Sequence, residues 1–190
     1  MKKTLAAVAI LSLFAFRVYA DLAVIDGPRA YDGHLYYMLE ASSWTNAEAA
    51  ASALGGHLVT INDSAENAWV ISTFGGDDYA LWIGLTDAAS ERTFVWASGE
   101  PLSYGLPLGE PPWALNEPYG ESAGYDYVNI HKGSHPTSAD LWNDWPNQGI
   151  GSVHGIAEVV PVPGSIILLL SGLISLSLVG IVKRAKCSGS

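Results

Sequence analysis

The 190-residue chain has one cysteine, Cys187. An intrachain disulfide is therefore impossible, and a zinc site built on several thiolates is excluded. Positive charge is scarce in the body of the chain. Between residues 21 and 160 only Arg29, Arg92 and Lys132 oppose nineteen Asp and Glu, which leaves a net charge of −16. Such a body repels nucleic acid and anionic lipid and suits cations or neutral ligands. No phosphate-binding glycine loop, dinucleotide fingerprint or basic nucleic-acid patch appears, and no internal repeat is evident. Without cross-links the folded part must live on its core, for which seven Trp in the chain are a good supply.

Apolar runs mark both ends. Lys2 and Lys3, the apolar or small run 4–16, and Val18-Tyr19-Ala20 have the three parts of a secretory signal peptide, assigned to 1–20. Residues 21–31 read as a lead-in to the domain. Residues 164–182 are uncharged; as a helix rising ~1.5 Å per residue they would cover the ~30 Å hydrocarbon core of a membrane. Lys183, Arg184 and Lys186 in the tail 183–190 then place that tail in the cytoplasm and the body outside. The stretch 160–163, Val-Pro-Val-Pro, is a short stiff spacer.

The order Pro161-Val162-Pro163, a Leu/Ser/Gly-rich span and a terminal basic cluster resembles the PEP-CTERM protein-sorting signal of Gram-negative bacteria, with Val162 where that signal usually has Glu. The resemblance implies an exosortase that removes the span and an exported domain at the cell surface or in the extracellular matrix. A permanent single-span membrane anchor is the alternative.

Within the body, 34–40 reads as a strand. Thr45 and Glu48 have capping-box spacing, and Ala47, Ala50, Ala51 and Leu54 recur at i, i+3, i+4 and i+7, so a helix buries that face and stops at Gly55-Gly56. Asp63 and Glu66 repeat the capping spacing before a second helix that ends near Phe74. Strands are expected at 81–85, 93–97, 125–131 and 153–160. From Trp113 to Trp145 the chain is rich in Gly, Pro, Asn and acids. A connection of that length within a domain is usually functional or disordered. The pattern is α+β.

Ser43-Trp44, Gly55-Gly56-His57-Leu58-Val59, Glu66-Asn67, Trp82-Ile83-Gly84-Leu85 with Asp87, Trp96, Glu117-Pro118 and Trp142-Asn143-Asp144 resemble the C-type lectin domain in order and spacing over 32–159. The resemblance implies a double-loop fold with two short helices, two small antiparallel sheets and a long loop carrying a Ca²⁺-dependent sugar site. It also implies two disulfides that this chain lacks. Ala51 and Ala157 stand at one pair of positions, and Tyr127 and Asn147 at the other.

Of the Ca²⁺ ligands that the resemblance implies, Glu117, Asn143 and Asp144 are present, with Asp126 matching a residue of an auxiliary site. Tyr119 and Tyr125 replace the others. Since Ca²⁺ takes roughly six to eight oxygens, either a weakened calcium site or none follows. Tyr119 and Tyr125, with Trp113 and Trp145 nearby, could instead stack a sugar ring, whereas Trp82, Trp96 and Trp142 are expected in the core. The ligand-binding set is thus Glu117, Tyr119, Tyr125, Asn143, Asp144 and Trp145. A carbohydrate or exopolysaccharide partner is expected, and a calcium-independent protein-interaction or structural module is the alternative.

No enzyme is expected. Gly120-Glu-Ser122-Ala-Gly124 fits the Gly-x-Ser-x-Gly pattern but lacks the strand and helix that the motif needs. His131 and His135 are separated by Gly133, which argues against a metal-binding helix. His57 is expected to be structural.

Overall fold

Two helices pack on a sheet whose central strand is buried on both faces. The computed structural model describes residues 23–76, 79–119, 124–131, 140–148 and 153–161. The expected signal peptide and C-terminal span, Ser122 and His135 all lie outside these residues. The strands are β1 (Val24–Tyr31), β2 (His34–Ala41), β3 (His57–Leu58), β4 (Ala80–Thr86), β5 (Val95–Trp96), β6 (Tyr127–His131), β7 (Leu141–Trp145) and β8 (Val153–Val159). The helices are α1 (Trp44–Ala53) and α2 (Ser64–Phe74).

The sheet runs β1-β2-β8-β4-β6-β7, with β3 on β8 and β5 on β4. The expected antiparallel sheets are the two ends of this path, joined by one parallel pair, β4 with β8. Residues 24–31, read as a lead-in, pair with β2 as an edge strand, whose register shifts around Gly27 and Pro28. On β4, Leu81, Ile83 and Leu85 enter one hydrophobic cluster with Trp96, Trp113 and Trp142. Ala80 and Trp82 enter the other, with Leu39, Trp44 and Leu58. Burial on both faces explains why β4 is a continuous apolar run rather than an alternating one.

The N-cap of helix α1 lies two residues before the expected one. Ser43, not Thr45, is its N-cap and accepts from Asn46 N. Thr45 instead meets Asn147 beyond β7: its backbone N–H donates to Asn147 Oδ1 at 3.2 Å, and Asn147 Nδ2 donates to its hydroxyl at 3.1 Å. Glu48 does not reach back to the cap; it holds His57 Nδ1 at 2.7 Å and accepts from Leu58 N at 2.8 Å. Helix α2 starts as its spacing predicts, with Asp63 accepting from Ala65 and Glu66.

At the positions where the lectin resemblance implies disulfides, noncovalent contacts take over. Ala51 and Ala157 are fully buried in one cluster. Gly155 lets α1 approach β8, since a Cβ there would fall 2.8 Å from Ala47 Cβ. Tyr127 packs its ring 4.8 Å from Trp44, and Asn147 bonds Thr45 as above, so the second half of the long loop is tied to the start of α1. Because Ala51 has no spare volume, Ala51→Leu is expected to cost about 1 to 3 kcal/mol by overpacking. Urea unfolding measures this, and a loss below about 0.5 kcal/mol would contradict the tight packing of this seam.

Candidate functional site

The long loop is not a loop throughout. Leu141–Trp145 forms β7, pairing with β6 in the register Asn129 to Asn143 and Val128 to Asp144. Trp142, Asn143 and Asp144 are all buried, while Trp145 at the strand end is 39% exposed. Trp113 joins β7 through a bridge to Trp142, and its indole N–H donates to Gly105 O. At 3% exposure it belongs to the core and not to an aromatic surface. Trp82, Trp96 and Trp142 are core residues, as expected.

Beyond Trp113 the chain turns back onto β7. Ala114 N donates to Trp142 O, and Tyr119 N donates to Asp144 Oδ1 at 2.9 Å. This brings the Glu117 carboxyl against that of Asp144. Glu117 Oε2 and Asp144 Oδ2 are both buried and have no hydrogen-bond partner. Burial first, then the adjacent Asp144 carboxyl, push the Glu117 carboxyl from its ordinary 4.5 up to about 8. Two carboxyls sharing so little solvent cannot both ionise unless a cation lies between them; without one, a proton stays on the pair.

Tyr119, Tyr125 and Trp145 form a row beside this pair. The Tyr119 and Tyr125 rings are 5.9 Å apart, and those of Tyr125 and Trp145 are 6.4 Å apart. Tyr119 is 62% exposed. The structure thus brings the Glu117 and Asp144 carboxyls together and sets Tyr119, Tyr125 and Trp145 in one chain of ring contacts, while Asn143 is buried next to Asp144 on β7.

Asp126 is half-buried, and its carbonyl accepts from Thr86 Oγ1 and Asp87 N. Asp87 is a residue that the sequence reading left out of the site. It is 2% exposed, its Oδ1 has no partner, and burial followed by the charges of Glu91, Asp126 and Asp144 raises its carboxyl above the ordinary range, against one lowering hydrogen bond from Arg92 N. Its signal was its place two residues after the Trp82–Leu85 motif. Among the described residues no three His, Cys, Asp or Glu side chains group closely enough to hold a metal by themselves. Any cation at Glu117 and Asp144 would therefore also need amide, carbonyl or ligand oxygens.

The family described as "Lectin C-type domain" matches residues 40–145. Lithostathine-1-alpha of Homo sapiens is 32% identical over 67% of this chain and 74% of its own length. The structure of human lithostathine superposes with a TM-score of 0.58 at 27% identity, covering 71% of this chain and 98% of that one. A calcium-independent type II antifreeze protein shares the fold, with a TM-score of 0.55 at 21% identity over 72% of this chain and 94% of that one. The chain belongs to the C-type lectin domain family.

The protonated Glu117 sets a pH dependence. Without a cation the folded protein keeps a proton that the unfolded chain releases above about 4.5, so its stability falls as pH rises from about 5 to 8. Thermal unfolding in chelator should show this decline, and Glu117→Gln should reduce it. An unchanged slope in the variant would contradict the buried pair.

Proposed function

We propose that this chain is an exported, surface or matrix carbohydrate-binding protein whose site is the end of the long loop. The observation that carries the reading is the pair of partnerless buried oxygens, Glu117 Oε2 and Asp144 Oδ2, beside the row Tyr119, Tyr125 and Trp145. Glu117, Asp144 and the amide of Asn143 would hold Ca²⁺, with Asp126 and Asp87 adding negative potential behind them. A bound Ca²⁺ would neutralise the acidic pair and accept sugar hydroxyl oxygens. Tyr119 and Trp145 offer faces for the apolar side of a pyranose ring. Asp144 also accepts from Tyr119 N, so the acid that would hold the cation fixes the backbone carrying one of these rings.

The charge of −16 over 21–160 suits a neutral or cationic ligand from outside the cell. Export rests on the signal-like 1–20 and the sorting-like 161–186, with an exosortase as the processing partner and the membrane as a transient or lasting anchor. No helix among the described residues is long and apolar enough to cross a membrane. Binding without catalysis is the activity proposed.

The replacements Tyr119 and Tyr125 favour a second reading, a calcium-independent interaction module on the same fold, because fold alone does not fix function. Calorimetric titration separates the two. Calcium uptake by the wild type, lost in Asp144→Ala, supports the first reading, and sugar binding then weakens roughly two- to twelvefold in Trp145→Ala. No calcium heat, with partner binding that persists in chelator, supports the second.

A further inference from the structure

An open groove of about 500 Å³ lies beside the aromatic row, between the start of β6 and the turn after β7. Tyr125, Asp126 and Tyr127 form one wall, and Pro146, Asn147 and Gln148 the other. Its volume falls in the ~300 to 1,000 Å³ range of small-molecule sites. Tyr127 and Asn147, both of which line the groove, are the positions where the lectin resemblance implies a disulfide. Neither side chain closes the space. Tyr127 packs on Trp44, and Asn147 is drawn away to Thr45.

Tyr125 belongs to both places, since its ring meets Tyr119 and Trp145 and also lines the groove. A ligand resting on the aromatic row can therefore continue into the groove without losing contact. The groove is open to solvent, which suits an internal unit of a polymer better than a small enclosed molecule. Among the described residues no Lys or Arg lines it, and Asp126 is one of its lining residues. Asp126 and Asp144 both lie close enough to Asp87 for their charges to raise its carboxyl, so the negative potential extends from the acidic pair to this wall. An anionic sugar is repelled there, and an amine-bearing one is drawn in.

We propose that this groove is a second saccharide subsite, taking one unit of an amine-bearing hexosamine oligomer with its ammonium facing Asp126. The Gln148 amide would meet ring hydroxyls, and the Tyr125 ring would carry the sugar chain across from the first site. This rests on the reading of the loop end as a carbohydrate site.

The test is calorimetry of the full chain in mild detergent with Ca²⁺, at a pH that keeps the amine protonated. The probes are β-1,4-linked glucosamine tetramer, its fully N-acetylated counterpart, and glucosamine itself. The expected order has the tetramer about tenfold tighter than the monomer, and about fivefold tighter than the acetylated tetramer at low salt. Gln148→Trp, a change at an exposed position that fills the groove, should bring the ratio of tetramer to monomer near one. Asp126→Asn should bring the ratio of free-amine to acetylated tetramer near one. A tetramer advantage that survives Gln148→Trp overturns the groove, and equal affinity for the two tetramers in the wild type overturns the amine. Equal binding of monomer and tetramer overturns the subsite while leaving the carbohydrate reading intact. No binding of any sugar overturns both.

Discussion

Trp142 is the contact on which the arrangement depends. Its side chain is fully buried, and its indole N–H donates to Asn67 Oδ1 of α2 at 2.9 Å. The rings of Trp96, Tyr104 and Trp113 surround it edge-on at 5.5 to 5.9 Å. Its backbone accepts from Ala114 N and donates to Pro112 O, closing the first half of the long loop onto β7. Gly105 completes the seat, because a Cβ there would fall 2.7 Å from the Trp142 ring and its φ of +92° disfavours any side chain. One residue thus joins helix, sheet and loop, and the next two in the chain are Asn143 and Asp144. A site on a loop so anchored is held by the core.

That anchoring has an electrostatic consequence. Asp144 is 1% exposed and faces Glu117, an arrangement that is costly for two charges out of water. The fold tolerates it through backbone N–H groups of Tyr119 and Asp144 directed at the pair, and through the proton held by Glu117. In the proposed function, a cation would take the place of that proton. Where the chain lacks cross-links, aromatic and amide contacts between Tyr127, Trp44, Asn147 and Thr45 hold the loop, and the space left between them is the groove.

Much of this was legible in the sequence, and the exceptions have physical reasons. Both helices and β4 announced themselves through 3.6-residue periodicity, glycine stops and an apolar run. Strand β7 did not, because Leu-Trp-Asn-Asp-Trp places two polar residues in succession amid turn-forming neighbours, and both of those residues are buried. Strand β1 was hidden by Gly27 and Pro28, which break its register with β2. The helix cap was misplaced by two residues because Ser43 and Thr45 are chemically equivalent caps, and only the distant Asn147 distinguishes them. Trp113 and Trp145 looked alike in composition, yet one fills the core and the other borders solvent, a difference set by which residues return to cover them. Glu117, Asn143 and Asp144 were readable by resemblance, but the facing of the two carboxyls needed the turn at Tyr119.

The central claim, that Glu117 and Asp144 form a cation seat beneath exposed aromatic rings, is tested most directly by terbium luminescence excited through Trp and Tyr. Energy transfer needs the ion close to the rings, and the acid pair lies beside Tyr119, Tyr125 and Trp145. Sensitised emission that calcium displaces, and that is lost in both Glu117→Gln and Asp144→Asn, is the predicted result. Absent emission in the wild type, or emission unchanged in both variants, would contradict it.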